Sequence, residues 1–333
     1  MRRWLFGGWL LCLSLLAGAH ENLPASLLIE EQQPFEFSVS WRVPTVQGGA
    51  ALGIVPRFPA DCVALAAPSE IFASSSRISH SQLRCSQGLR DGARILFDGM
   101  PVTMVNALVR VGYLDGRSLS LIASPQSPQV ELGLPAQGRV DVAGYFALGA
   151  EHILGGIDHL LFVFCLILLV QGRWRLLQTI TAFTLAHSIT LVAATLGYVQ
   201  MPSAPVEATI ALSIVLLACE LLRPAGRQGL AARWPWLVAF CFGLLHGLGF
   251  AGALSEVGLP ADDIPLALLL FNLGVEAGQL LFVAAVLALL AGLRRLRWSW
   301  PQWLRQVPAY AVGSASAFWL LQRMAVLLGV QGA

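Results

Sequence analysis

The sequence contains no lysine, so all 21 of its basic residues are arginine. Charge of either sign is scarce, because charged residues make up 12% of the 333 residues and hydrophobic residues 56%. A soluble globular protein rarely has this composition. The formal net charge of +2 is small, and the arginines cluster in short connections and not in one patch. This pattern indicates membrane topology and no nucleic-acid partner.

Several motifs that mark common enzymes are also absent. There is no Cys-x-x-Cys, no His-Glu-x-x-His and no recognisable serine nucleophile motif. Of the six cysteines, only Cys62 and Cys85 form a pair in the polar region that follows the N-terminal segment. If that region is exported to an oxidising compartment, a disulfide between them is favoured.

Residues 1–19 have the pattern of a secretory signal peptide. Two arginines precede an apolar stretch, and Ala17-Gly18-Ala19 fits a cleavage site. An uncleaved anchor is the alternative. Cleavage would leave His20 as the N-terminal residue, whose α-amine and imidazole together chelate cations such as Cu(II).

Residues 20–138 differ in pattern from the residues that follow. Short runs alternate apolar and polar residues, and Asp-Gly pairs separate them, as in FEFSVSWRV, ARILFDG, ALVRVGYL and RSLSLIA. Period-two alternation and turn dipeptides are typical of half-buried β-strands. The pattern predicts a small exported β-sandwich domain, followed by a linker that contains several prolines.

Residues 139–333 contain apolar segments that are long enough to cross a bilayer. They lie at about 143–171, 176–199, 206–223, 235–257, 266–292 and 307–329. The sequence therefore predicts a transmembrane domain that is a polytopic α-helical bundle of about six spans.

The connections between these segments predict their orientation. Arginines follow the first, third and fifth segments, whereas QMPSAP and LPADDIP contain none. The positive-inside rule puts the arginine-bearing connections in the cytoplasm and residues 20–138 outside. We therefore expect a protein of a bacterial inner (plasma) membrane, in contact with the lipid bilayer, with a periplasmic N-terminal domain.

The spans carry polar groups that are expensive to bury in a bilayer. A rise of about 1.5 Å per residue, counted from the outer end of each span, puts these groups at depths of roughly 13–24 Å. The side chains concerned are His152, Asp158, His159, His187, His246 and Glu276, and Asn272 shares a helical stripe with Glu276. Packing explains any one of these polar side chains by itself. Their occurrence together at similar depth in the membrane indicates a common function.

The first span leaves two arrangements open. His152 and His159 are seven residues apart, with Gly155 and Gly156 between them. On a regular helix this spacing puts them on one face about 10 Å apart, which is too far for one ion. Either the glycine pair distorts the helix, or the two histidines are successive stations on a path.

Imidazole combined with carboxylate is the ligand set of divalent nickel, cobalt, zinc or copper. We therefore predict a metal ion as the cofactor or cargo of these side chains. The predicted ligands are His152, Asp158, His159, His187, His246, Glu276 and Asn272, with His20 as an additional ligand. A proton relay through the same residues is the alternative.

The stretches HILGGIDHLLF, ITAFTLAHSITL, VEATIALSIV, FGLLHGLGFA and FNLGVEAGQ resemble the HupE/UreJ family of membrane proteins. They cover most of residues 145–280, and the exported domain with its two cysteines is similar to the longer branch of that family. The resemblance implies a nickel or cobalt permease associated with hydrogenase and urease maturation. It also implies a periplasmic protein or a metalloenzyme maturation system as a partner.

His152, Asp158 and His159 also resemble the H-x4-D-H element of nickel–cobalt permeases of another family, with five intervening residues in place of four. The extra residue rotates the first histidine by about 100° relative to the pair. The resemblance therefore implies metal contact for these three residues, without the same coordination geometry.

Three functions are compatible with these observations, and the favoured one is a permease for nickel or cobalt. An intramembrane metal-dependent hydrolase would instead hold zinc through three histidines and a carboxylate, with one open position. A membrane assembly factor for a metalloenzyme would dock a partner through its β-domain. Metal that stays bound through dialysis, without uptake, would favour the enzyme.

Overall fold

The protein is described here by a computed structural model. The structure describes residues 24–45, 51–72, 76–90, 92–103, 105–133, 141–199, 201–224, 229–255, 264–295 and 306–328. The predicted signal peptide and His20 lie outside these residues.

Among the described residues, the N-terminal part contains ten β-strands. They are β1 (Ala25–Gln33), β2 (Glu36–Pro44), β3 (Val55–Arg57), β4 (Cys62–Ala64), β5 (Ser69–Phe72), β6 (Ser76–Cys85), β7 (Ala93–Asp98), β8 (Ala107–Gly112), β9 (Ser118–Ala123) and β10 (Gln129–Leu132). Seven strands form one sheet in the order β4-β6-β2-β1-β8-β9, with β5 also paired to β6, and three form a second sheet in the order β10-β7-β3. The pairs are antiparallel except β1 with β8, which is parallel.

The two sheets share one hydrophobic core. Along β2 the buried residues alternate with partly exposed ones, as the sequence pattern requires of a strand with one buried face. Trp41 of this strand packs against Phe97 of β7 in the smaller sheet, with ring centres 5.6 Å apart. The predicted β-sheet region is therefore confirmed, and its two sheets meet as the sheets of a sandwich do.

Cys62 and Cys85 are joined by a disulfide, as the sequence predicts. The two residues are direct pairing partners on β4 and β6. The bond therefore ties the short edge strand β4 to the long strand β6.

Replacing both disulfide cysteines by serine should lower the stability of the strand region. The bond closes a loop across a sequence separation of 23 residues, for which the expected loss in free energy of unfolding is about 3 kcal/mol. Pulse proteolysis of the full-length protein in detergent and urea measures this loss. The matched control exchanges Cys219 and Cys241, which are free and exposed, and an equal loss in that control would contradict the assignment.

The remainder of the described chain is helical. The helices are α1 (Val142–Gly155), α2 (Ile157–Leu169), α3 (Arg173–Thr195), α4 (Ser203–Leu221), α5 (Leu230–Arg233), α6 (Pro235–Ser255), α7 (Ile264–Arg295) and α8 (Val307–Leu327). The sequence prediction of a β-sheet region followed by a helical region is therefore confirmed.

Six spans are not confirmed. Among the described residues, three helices are long and apolar enough to cross a membrane: α3, α4 and the part of α7 from Ile264 to Leu293. The bent pair α1–α2 makes a fourth if it is one span, and α6 contributes a shorter apolar helix over Pro235–Gly249. The predicted sixth span corresponds to α8, which is not in the qualifying group.

The three long apolar helices expose aliphatic side chains in rows. Leu185 and Ile189 are exposed on α3, and Leu212 and Leu216 on α4, with a spacing of four residues in each case. Residues four apart lie on one face of a helix. Exposed apolar faces of this kind are expected where helices contact lipid.

The chain divides into two compact units. One comprises Asn22–Leu148 and Ala253–Phe271, and the other contains Gly149–Gly252 and Asn272–Ala333. The predicted domain boundaries, at 19/20 and 138/139, stay predictions, because residues 1–23 and 134–140 are not described.

Candidate metal site: a buried histidine cluster

The first apolar segment is broken at its glycine pair. Helix α1 ends at Gly155 and α2 begins at Ile157, and the two axes meet at 71°. Gly156 between them has an extended conformation, with φ −78° and ψ 95°. Glycine is among the poorest helix formers, which explains why the break falls here. The bend brings the rings of His152 and His159 to a centre-to-centre distance of 5.0 Å, so the first of the two arrangements left open by the sequence is the correct one.

Gly156 is also tightly packed. A Cβ atom built there would lie 2.8 Å from His159 Nδ1 and 3.0 Å from the His152 carbonyl oxygen. Real Cβ atoms do not approach other atoms this closely without a shift. The absence of a side chain at this position therefore allows both histidines to lie against the break.

Four imidazoles meet beside this break. His159 is the central ring, with ring centres 5.0 Å from His152, 5.9 Å from His187 and 4.9 Å from His246. His152 and His187 are 6.0 Å apart. The rings come from α1, α2, α3 and α6, and His159, His187 and His246 are at most 5% exposed. We call these four residues the histidine cluster.

Two rings of the cluster are oriented by hydrogen bonds at Nδ1. His159 Nδ1 donates to Asp158 Oδ1 at 3.0 Å, and His246 Nδ1 donates to the Phe242 carbonyl oxygen at 2.9 Å. A carboxylate and a carbonyl only accept, so these contacts assign the proton to Nδ1 in each ring. Nε2 of each neutral ring then carries the lone pair, as in metal sites where the second nitrogen is held by an acceptor.

Several ring nitrogens of the cluster are buried without hydrogen bonds. Among the described residues, Nε2 of His159, Nε2 of His246 and both ring nitrogens of His187 have no hydrogen-bond partner. Leaving a buried polar atom unpaired costs roughly 1–3 kcal/mol. Such atoms in one place indicate a site that takes a ligand.

The distances between the ring centres can be compared with those of imidazoles that bind one metal ion. Two of the distances agree, and the two that involve His187 are longer. With a metal–nitrogen bond of about 2.1 Å, two imidazoles on one ion have ring centres roughly 4.5–5.3 Å apart. The separations of His159 from His152 and His246 fit this range, whereas those that involve His187 exceed it. In the part of the chain that the structure describes, no group of three or more His, Cys, Asp or Glu side chains is arranged to hold one ion. An ion shared by His187 with His152 and His159 would require the His187 ring to approach these rings by about 1 Å.

Asp158 is a carboxylate in direct contact with the cluster. Its Oδ1 accepts a hydrogen bond from the His159 backbone N–H at 2.8 Å as well as from the ring. A cation bound by the cluster would therefore be next to a negative charge.

Two glycines on α6 allow this helix to lie close to α3. A Cβ atom at Gly243 would lie 2.4 Å from the Phe183 carbonyl oxygen, and one at Gly247 would lie 2.3 Å from the His187 carbonyl oxygen. Helices α3 and α6 are therefore in backbone contact at the level of the cluster. Small residues permit such approach between helices in a membrane.

The polar stripe of α7 is bonded to α3. Thr181 Oγ1 donates to Glu276 Oε1 at 2.8 Å, and Thr184 Oγ1 contacts Gln279 Oε1 at 2.7 Å. Asn272 is buried one helical turn before Glu276. The structure therefore puts Glu276 against α3, in a hydrogen bond with a threonine.

These threonines differ from the usual pattern of a membrane helix. A threonine there usually donates to a carbonyl oxygen of its own helix. Thr184 does approach the Ile180 carbonyl oxygen, at 3.3 Å, but its shorter contact is to α7. The common spacing of three residues in Thr181/Thr184 and Glu276/Gln279 was the available signal for this pairing.

Two glutamates of α4 form ion pairs with arginine. Glu207 pairs with Arg323 at 2.6 Å, and Glu220 pairs with Arg223 at 2.8 Å. Both lie near the ends of α4. They are structural and do not join the histidine cluster.

Comparison with protein families gives one match. The family model described as HupE / UreJ protein matches residues 129–323, which is more than half of the chain. The matched range contains the four histidines of the cluster, Asp158, and the stripe of α7. Among curated proteins and among solved structures, no match to the chain is found.

Proposed function

The chain belongs to the HupE/UreJ family, and on this premise we propose that it is a membrane permease that carries a divalent transition-metal ion, nickel or cobalt, through its histidine cluster. The family is associated with nickel or cobalt transport or with urease and hydrogenase maturation. The specific role of permease is our inference from the chemistry of the cluster.

The observation that carries this proposal is the group of buried imidazole nitrogens without hydrogen bonds. Ionisable residues inside a membrane domain are costly and mark ion pathways or relays. His159 and His246 present Nε2 lone pairs, because Nδ1 of each ring is held by an acceptor. Neutral imidazole is a good ligand for nickel, cobalt, zinc and copper and a poor one for magnesium or calcium.

The open spacing of the cluster favours a transported ion over a permanently bound one. A structural or catalytic zinc site holds its ligands at bonding distance, whereas the His187 ring is too distant by about 1 Å for a shared ion. An ion that must leave again has to be bound weakly or by changing sets of ligands. A cluster in which two or three imidazole rings bind the ion at any one time meets this requirement.

We assign the predicted ligands to successive parts of a path. Glu276 and Asn272 lie on the stripe of α7 and would receive the ion before it reaches the rings. His152, His159, His187 and His246 would bind it, and Asp158 would balance its charge. His20 would chelate metal on the exported side if the signal peptide is cleaved before it.

The strand region would face the periplasm under this proposal. The secretory pattern of residues 1–19 and the arginine-bearing connections both favour this orientation. The strand region would then receive metal or a partner protein before transport. The chain would lie in the inner membrane of a bacterium.

Uptake into vesicles tests the permease directly. Purified protein in liposomes should accumulate radioactive nickel or cobalt, and Asp158→Ala with His246→Ala should reduce the rate by at least about tenfold. The reason is that the double variant removes both the charge balance and one oriented imidazole. The matched control is Asp115→Ala with His80→Ala, which changes an exposed pair of the same residue types in the strand region. Undiminished uptake by the Asp158/His246 variant would exclude this route.

A further inference from the structure

Three phenylalanine rings form a layer against the histidine cluster. The ring centre of Phe162 is 5.2 Å from His246, and that of Phe183 is 5.1 Å from His246 and 6.2 Å from His187. The rings also contact one another, since Phe162 is 5.0 Å from Phe183 and 5.8 Å from Phe242. Phe162 and Phe183 are fully buried. We call Phe162, Phe183 and Phe242 the phenylalanine layer.

All three rings lie on the same side of the cluster. On α2, Phe162 follows His159 by three residues, whereas on α3 and α6 Phe183 and Phe242 each precede their histidine by four. Each of these offsets is about one helical turn. The contacts among the three rings show that these turns point to one side.

That side is the end of the helices that carries arginine. Helix α2 leads into Arg173, at which α3 begins, and α6 starts shortly after Arg233. On each helix the phenylalanine therefore lies between its histidine and the arginine-bearing end. By the positive-inside rule this is the cytoplasmic end.

Beyond the layer the buried side chains are mostly apolar, and the hydroxyl of buried Thr179 donates to the Arg175 carbonyl oxygen of its own helix. Leu166 on α2, Ile180 on α3 and Ala239 on α6 lie about one further turn towards the arginine-bearing end, and all three are buried. They belong to the same hydrophobic cluster as Phe162 and Phe183. The histidine cluster is therefore at the boundary of a closed apolar region.

We propose that the phenylalanine layer is a hydrophobic gate that determines which ions leave the histidine cluster towards the arginine-bearing side. This inference rests on the proposed permease function and adds the residues that set its selectivity. Apolar constrictions stop ions because water does not fill them. A transition-metal ion that has exchanged water for imidazole reaches the layer already partly dehydrated, whereas Mg²⁺ gives up its water reluctantly.

The gate predicts different effects of a polar and an apolar substitution at one position. Phe183→Asn should wet the layer and raise the leak of Mg²⁺ by about tenfold or more, whereas Phe183→Leu should keep Mg²⁺ excluded. The experiment uses full-length protein in liposomes of phosphatidylethanolamine and phosphatidylglycerol, with a Mg²⁺-sensitive dye inside. Retained cobalt binding shows that each variant is folded, and Phe242→Asn replaces Phe183→Asn if the latter does not fold.

The control is Phe282→Asn, because Phe282 lies in the same hydrophobic cluster on α7 but outside the layer. Mg²⁺ leak with Phe183→Asn, and not with Phe183→Leu or Phe282→Asn, would support the gate. Exclusion of Mg²⁺ by Phe183→Asn, or equal leak through all three variants, would overturn it. If the wild type takes up nickel but Phe183→Asn does not leak Mg²⁺, the gate alone is refuted. If Phe183→Asn leaks Mg²⁺ but the wild type takes up no nickel, the permease alone is refuted.

Discussion

Replacing His159 by alanine should remove metal binding from the membrane region, with a rise in the dissociation constant for Co(II) of roughly 100-fold or more. His159 is the central ring, because it is the one with ring centres within 6 Å of His152, His187 and His246. It is also the ring that is oriented by Asp158. The visible absorption of Co(II), titrated into the detergent-purified protein, reports both affinity and coordination.

The matched control for this variant is His80→Ala. His80 is exposed on β6, so its loss should leave the Co(II) titration unchanged. The result that would contradict the site is a His159→Ala protein that binds Co(II) with the wild-type affinity and spectrum.

Adding one methyl group at the helix break should have an effect of similar size. In Gly156→Ala the new Cβ would lie 2.8 Å from His159 Nδ1 and 3.2 Å from Asp158 Oδ1. Because the His152 carbonyl oxygen limits the space from the other side, the rings must separate or the break must straighten. We expect metal affinity to fall by about 10–100-fold, the range seen when groups that orient a ligand are lost.

A glycine in open space provides the control for this substitution. Gly292 lies in α7, and a Cβ atom there would meet nothing within 4 Å. Gly292→Ala should leave metal affinity unchanged. If Gly156→Ala also binds metal as the wild type does, then the close packing at the break does not position the histidines.

The sequence was sufficient to predict a β-sheet region followed by a helical region. Period-two alternation predicted the strands, and the two cysteines of that region are bonded in the structure. The depth estimate selected four histidines, Asp158 and Glu276. The fold brings the rings of the other three histidines close to His159 and pairs Glu276 with Thr181. Depth along a helix depends on residue count alone, and this quantity can be read from a sequence.

The angles between helices could not be predicted from the sequence. The sequence showed that Gly155 and Gly156 could break the first span, but a break fixes neither its direction nor its size. The 71° bend depends on packing between residues that are distant in sequence. The bond between Thr181 and Glu276 joins residues 95 positions apart, and it depends on the rotation of two helices about their axes.

The central claim is that the histidine cluster binds a divalent transition metal, and metal content tests it most directly. The wild-type protein and the variant with His159→Ala and His246→Ala would be purified in detergent, equilibrated with a mixture of divalent metals, desalted and analysed by elemental mass spectrometry. The account predicts nickel or cobalt in the wild type and its loss in the double variant. Equal metal content in the two proteins, or none in either, would contradict it.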